Sequence, residues 1–158
     1  MVVLVKIGRS TIHFNDPTNG FIQDSYNLHD AIVSLIHSAR HSIHLVSYSL
    51  PVYNQNWYLH DVIESAMKRN VKLKVHGNNY TEVSKLISRH RQRGAEGWHW
   101  VMEGDRDIFH IKAIMIDGIK LYLGSANLSQ NSIHNSAEWG MVTESPDICL
   151  QLENYLEY

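Results

Sequence analysis

Cysteine is almost missing from this 158-residue chain, where Cys149 stands alone. An internal disulfide and any cysteine-rich zinc site are therefore excluded. A surplus of one charge is missing too: 14 Lys and Arg face 16 Asp and Glu, for a formal net charge of −2. Bulk composition thus announces no polybasic surface, and local patches have to be weighed one by one. No run approaches the ~18 consecutive apolar residues of a membrane span, so none is expected. There is no linker, low-complexity tract or internal repeat. The first residues, Met1–Arg9, carry no basic leader and no small-residue cleavage site, and read as a strand, not as a signal peptide. With 44% hydrophobic residues, the expectation is one compact domain over residues 1–158, placed by default in the cytoplasm.

Hydrophobic periodicity outlines the fold. Val2–Ile7 and Thr11–Phe14 read as short strands ended by the Asn15-Asp16-Pro17 turn signal. Leu28, Ala31, Ile32, Leu35, Ile36 and Ala39 recur at helical spacing and predict a helix from Ser25 to Arg40. A strand over Ser42–Leu50, a helix over Trp57–Arg69 and a strand over Val71–His76 make a βαβ unit with a parallel strand pair. A helix over Thr81–Arg93 ends at Gly94, and Trp98–Met102 reads as a short strand. Ile108–Ile116 and Ile119–Leu123 flank Asp117-Gly118, a strong hairpin signal. A short helix starts after Asn127, a strand covers Ala137–Thr143, and a helix covers Pro146–Tyr155. The expected class is α/β, a mixed β-sheet flanked by helices on both faces.

The hairpin gathers reactive side chains. His110 and Lys112 are two apart on one strand and share a face. If Asp117-Gly118 is a two-residue loop, Lys112 opposes Leu123 and His110 opposes Ser125, so His110, Lys112 and Ser125 converge. Asn127 follows at an expected helix start, where free backbone N–H groups favour an anion. A histidine, an ammonium, a hydroxyl and an amide in one place describe a phosphate site.

These residues carry a family resemblance. His110-Ile111-Lys112, four residues, Asp117, six residues, then Gly124-Ser125-Ala126-Asn127 resembles the HxK(x)4D(x)6GSxN signature of the phospholipase D superfamily. Asn135-Ser136-Ala137-Glu138 resembles the family's second segment. The order of elements from Ser25 to Tyr155 is similar to the superfamily's small, single-motif bacterial endonucleases. The resemblance implies a phospholipase D/nuclease-like fold and a homodimer, because this chain too has one HxK followed by GSxN. It implies that His110 attacks phosphorus and that His110 of the partner subunit protonates the leaving oxygen. It implies that Lys112, Ser125 and Asn127 hold the non-bridging oxygens, and that Glu138 hydrogen-bonds the His110 ring. Asp117, in the turn, is structural. No cofactor and no metal is implied, because lysines supply the positive charge.

Eleven histidines admit a second reading as metal ligands. His37 and His41 are four apart and could clasp zinc on a helix, yet no third ligand accompanies them. His134 adjoins the Glu138 segment. Asp105-Arg106-Asp107 suggests a carboxylate site or simple turn chemistry. For substrate binding, Lys68, Arg69, Lys72 and Lys74 form one basic group, and Arg89, Arg91 and Arg93 another. The latter serve equally well as cations complementing a helix dipole. Trp57, Trp98, Trp100 and Trp139 could stack on bases or fill the core, and Trp139 follows Glu138 directly. The substrate-binding candidates are Lys72, Lys74, Arg91, Arg93 and Trp139.

The expected activity is metal-independent phosphodiester cleavage, with DNA favoured over RNA. The chain fits an intracellular nuclease or the cleavage domain of a longer restriction-type enzyme. A phospholipase D-like lipid hydrolase is the alternative, and it needs an apolar way in that the sequence does not display.

Overall fold

The computed structural model describes residues 4–15, 27–50, 57–104 and 106–157. Among these residues seven strands are formed: β1 Ser10–Asn15, β2 Ser42–Ser47, β3 Lys72–Gly77, β4 Glu96–His99, β5 Ala113–Ile116, β6 Lys120–Gly124 and β7 Glu138–Glu144. They make one sheet in the order β1–β7–β6–β5–β2–β3–β4. Strands β2, β3 and β4 run parallel, and β5 joins β2 antiparallel to begin the antiparallel half. The sheet is mixed, as the βαβ reading and the hairpin signal together require.

Alternation along the strands sorts the core into two layers. Ile43, Leu45, Leu73, Val75, Ile114 and Ile116 face helices α1 Leu28–His37, α2 His60–Lys68 and α3 Tyr80–His90. Ala113, Met115 and Leu121 face the other way, where α5 Pro146–Leu156 brings Cys149 and Leu156. Helices therefore cover both faces, as expected. Asn27, Asn79 and Ser145 start α1, α3 and α5 by accepting from the backbone N–H of Asp30, Glu82 and Ile148. Each satisfies a donor that a helix start leaves orphaned. Arg91–Arg93 continue α3 as a 3₁₀ turn, and Gly94 ends it at φ 83°. Ser25, Tyr26, Asp16 and Pro17 lie outside the described residues.

Several expectations need correction. Residues 4–7 form no strand. Leu4 is 90% exposed, and the segment is tied instead to the end of β7 and the start of α5. The Gly8 N–H donates to Glu144 O at 2.6 Å, and the Lys6 N–H donates to Asp147 at 2.8 Å. β4 lies upstream of the expected Trp98–Met102, because Trp100 turns inward and stacks between Phe109 and Tyr155. The short helix α4 is Gln130–Asn135, capped by Ser129 rather than Asn127.

The hairpin register is also shifted by one residue. Asp117 and Gly118 both take left-handed φ, 56° and 69°, and the Ile119 N–H donates to Ile116 O at 3.1 Å. The Asp-Gly turn forms as its dipeptide demands. Ile119 is then an extra residue, because its carbonyl accepts from the Ser145 N–H at 2.9 Å. Ile116 thus opposes Lys120, and Ala113 opposes Leu123. A one-residue slip reverses which faces agree, so strand pairing does not align His110 and Lys112 with Ser125.

Asp117 is structural in a wider sense than the turn. Its carboxylate accepts from the backbone N–H of Arg40, His41 and Ser42, the last two at 2.7 and 2.9 Å. It thereby ties the hairpin to the entry of β2. Burial pushes this carboxyl up, but the Ser42, His41 and Arg40 donors outweigh it and hold the group below its ordinary 3.8. A depressed carboxylate contributes stability above its unfolded pKa and loses it as pH falls through the folded value. Asp117→Asn should therefore cost about 1–3 kcal/mol at pH 7. In urea unfolding at a series of pH values, the gap between wild type and mutant should close below pH 3.8.

Candidate active site

The sequence places its reactive groups where the parallel strands end and the hairpin opens. Tyr48 and Ser49 follow β2, Asn78 follows β3, and both ends meet the extended residues that lead into β5. The Phe109 N–H donates to Asn78 Oδ1 at 2.8 Å. With Phe109 buried, this fixes the chain just before His110, whose side chain emerges exposed. The His110 ring lies tilted against Tyr48, with centroids 4.7 Å apart. Lys112 Nζ sits 2.9 Å from His110 Nδ1 and 3.3 Å from Nε2, and donates to the His110 carbonyl at 3.1 Å.

The second half of the site is built by β6 and β7. Gly124 and Gly140 oppose each other across this pair. A Cβ on Gly124 would stand 2.6 Å from Trp139 O and 2.8 Å from Tyr122 Oη, and one on Gly140 would stand 2.5 Å from the Tyr122 ring. Two glycines let the strands close over Tyr122, which is fully buried. Its hydroxyl donates to the Ala126 carbonyl and accepts from the Ala126 N–H, each at 3.2 Å. That grip shapes the turn that presents Ser125 on one side of Ala126 and Asn127 on the other. Burial raises the Tyr122 phenol far above its usual pKa, the Ala126 bond lowers it and Glu138 raises it further. The hydroxyl therefore keeps its proton.

Ser125 continues the ladder beyond β6. Its N–H donates to Trp139 O at 3.0 Å, and its Oγ accepts from the Trp139 N–H at 3.0 Å. This places it beside Glu138, whose carboxylate accepts from Ser125 Oγ. The expected Glu138–His110 bond is thus replaced. Glu138 is taken by Ser125, its nearest neighbour across the strand pair, while the His110 ring takes the Lys112 ammonium. The two halves still meet electrostatically: burial lowers the Lys112 pKa, and the Glu138 charge opposes that shift. Asn127 does not act at a helix start. Its Oδ1 accepts from the Ser49 N–H at 3.2 Å, so it pins the turn after Ser125 to the end of β2.

A family model described as "Cardiolipin synthase, PLD-like domain" matches residues 32–158. The chain belongs to this phospholipase D-like family. The match spans every motif residue named above, and the family is one of phosphodiesterases. The fold agrees with three solved structures. NucT from Helicobacter pylori superposes with a TM-score of 0.71 at 20% identity, over 94% of this chain and 93% of that one. The phospholipase D family member Nuc from Salmonella typhimurium gives 0.68 at 18% identity, over 94% and 91%. Phosphatidylserine synthase from Haemophilus influenzae gives 0.67 at 13% identity, over 94% of this chain and 37% of that one. No curated protein sequence matches the chain significantly.

Within this phospholipase D-like frame the other candidates separate. Trp139 lies beside the site, 45% exposed, and opposes the equally exposed Phe14 across β1 and β7. Lys72 begins β3, and at ~3.3 Å per residue it lies about 20 Å from the strand end that carries Asn78. Arg91 and Arg93 are exposed beyond the far end of α3, about 18 Å from its start at ~1.5 Å per residue. These three are not brought to the site. Lys74, nearer the middle of β3, lines a separate cleft with His44, His76, Trp98 and Trp100. Burial, then Lys74, lowers His44 to about 4, and burial, His44 and Lys74 lower His76 to about 4.

The remaining candidates are structural neighbours. Trp57 is core and donates to Leu128 O at 2.8 Å. His134 packs against His29 and Tyr58. Asp107 closes a turn on Gly104, and Asp105 lies outside the described residues. Tyr48, Ser49 and Asn78 were not found from the sequence. The signal available was their position, just past the carboxyl ends of two parallel strands, where α/β sheets place ligands.

Tyr122→Phe tests the grip on Ala126. It leaves the N–H and C=O of Ala126 unpaired in a buried place, and should cost about 1–3 kcal/mol in chemical denaturation. Phosphodiesterase activity should fall with it at temperatures where the mutant is still folded, since Ser125 and Asn127 flank the loosened residue.

Proposed function

We propose that this chain is a metal-independent phosphodiesterase that cleaves DNA through a phosphohistidine on His110, in a site completed by a second copy of the chain. The observation that carries the reading is the gathering of His110, Lys112, Ser125 and Glu138 at one exposed end of the sheet. One imidazole serves one step at a time, and the chain holds a single HxK motif.

In the first step the His110 nitrogen bonds to phosphorus and the phosphorus–oxygen bond to the leaving group breaks. That oxygen takes a proton from His110 of the partner subunit. In the second step the same partner histidine accepts a proton from water, which attacks phosphorus. The phosphorus–nitrogen bond breaks and His110 is regenerated. Lys112, Ser125 and Asn127 stabilise the charge that gathers on the non-bridging oxygens. Lys112 reaches those oxygens by exchanging its bond to the His110 ring for one to phosphate. Glu138 holds Ser125 in place and keeps Lys112 charged.

Nucleic acid is supported by the resemblance to single-motif endonucleases and by the exposed Phe14–Trp139 pair beside Glu138, which offers a stacking surface for bases. Cytoplasmic action, or service as the cleavage domain of a restriction-type enzyme, belongs to the same reading. One observation favours lipid instead. Ile111, Leu121, Leu123, Ile148, Leu152 and Tyr155 line an apolar cleft of about 350 Å³ that reaches Lys112. It is the apolar approach that the sequence did not display. No helix among the described residues is long and apolar enough to cross a membrane.

The test is cleavage of plasmid DNA and of a single-stranded oligonucleotide in excess EDTA. Wild type should cleave, and His110→Ala should lose activity by a factor of about 10³ or more. Cleavage that EDTA abolishes at a temperature where the fold persists would remove the mechanism. Headgroup release from liposomes with no DNA cleavage would replace the substrate.

A further inference from the structure

The histidines outside the catalytic end include one cluster that hydrogen bonding does not explain. His60 opens α2, and Glu64 one turn later holds a carboxylate oxygen 3.7 Å from His60 Nε2. Ligand atoms of His60, Asp61 and Glu64 all lie within 4.8 Å of one another. From the end of α3, His90 brings its ring to 6.4 Å from that of His60, centroid to centroid. His90 is 5% exposed, and its Nε2 is buried with no hydrogen-bond partner.

An ion pair explains part of this. Glu64 bridges His60 and, at 3.8 Å, Lys68, an ordinary arrangement one turn apart on a helix. It leaves the His90 nitrogen unexplained, because a buried ring nitrogen without a partner carries its full desolvation cost. Burial is the largest of the influences that keep His90 below its usual pKa. The charges of His60, Arg89 and Arg93 push the same way, and Glu64 alone pushes back. The ring is therefore neutral, the form in which imidazole binds metal.

Two imidazoles and a carboxylate are a zinc donor set, with bonds of about 2.0–2.2 Å. Donors on one tetrahedral ion then stand ~3.4 Å apart, close to the His60–Glu64 separation, and two such rings have centroids ~5 Å apart. The difference from 6.4 Å is about 1.4 Å, which a side-chain rotation of His60 closes on binding. We propose that His60, Glu64 and His90, with Asp61 as fourth ligand, bind one divalent transition-metal ion of the zinc class and clamp α2 to α3. The ion is structural. It sits at the end of α3 remote from Asn78, about 16 Å along the helix, and takes no part in phosphodiester chemistry.

The probe is Zn²⁺ alone, titrated into metal-free protein, with Co²⁺ absorption as the geometric readout. One equivalent should bind, Co²⁺ should give the intense visible bands of tetrahedral coordination, and saturating Zn²⁺ should raise Tm by about 5–10 °C. Glu64→Gln, on the accessible side of α2, leaves the fold in place and should weaken binding at least about tenfold. His90→Asn should do the same. The double variant His37→Ala/His41→Ala, at exposed positions, should bind as wild type. The proposal is overturned by any of four results: no bound equivalent, a weak octahedral Co²⁺ spectrum, wild-type affinity in Glu64→Gln, or loss of the site in the His37/His41 variant.

Discussion

The close approach of β6 and β7 at Gly124 and Gly140 is the constraint on which the candidate active site rests. Only where neither strand carries a Cβ can the Tyr122 ring lie under the crossing and reach Ala126 with its hydroxyl. That bond bends the chain so that Ser125 stays in the ladder beside Glu138 while Asn127 turns away to the end of β2. The glycine of the GSxN motif is thus a packing requirement, and it sets where the serine and asparagine lie. Asp117 does the matching work at the other end of the hairpin, where three backbone donors fasten the turn to the entry of β2. Strand β6 is thus held at both ends, and the candidate catalytic groups lie at the end that opens to solvent.

Most of the architecture was legible in the chain because its signals are local and strong. The helical spacing of Leu28, Ile32, Leu35 and Ile36 and the Asp117-Gly118 dipeptide each name their element without help from the rest. What was not legible depends on partners distant in sequence. The apolar run before Gly8 looks like a strand, yet its backbone is claimed by Glu144 and Asp147. Ile119 looks like the first residue of β6, yet Ser145 takes its carbonyl and shifts the ladder by one. Trp100 looks like a strand residue, yet stacking between Phe109 and Tyr155 sets it aside.

The candidate site shows the same division. His110, Lys112, Ser125, Asn127 and Glu138 could be picked out because the motif spacing is specific, but their contacts could not. Ser125 joins Glu138 through the β7 ladder, and Lys112 turns onto the His110 ring, so the two halves meet only by charge. The basic residues were less readable still. Lys72, Arg91 and Arg93 look like a phosphate track in one dimension, yet a strand and a helix carry them to the other end of the sheet. The Phe14–Trp139 pair, by contrast, is exposed directly beside Glu138.

The central claim is that a covalent bond forms between His110 and phosphorus. It is tested most directly by the stereochemical course at phosphorus, using a chiral phosphorothioate diester cleaved in isotopically labelled water. Attack by His110 and then by water inverts the centre twice, so net retention is expected. Net inversion would mean that water attacks the diester in a single step, and would contradict it.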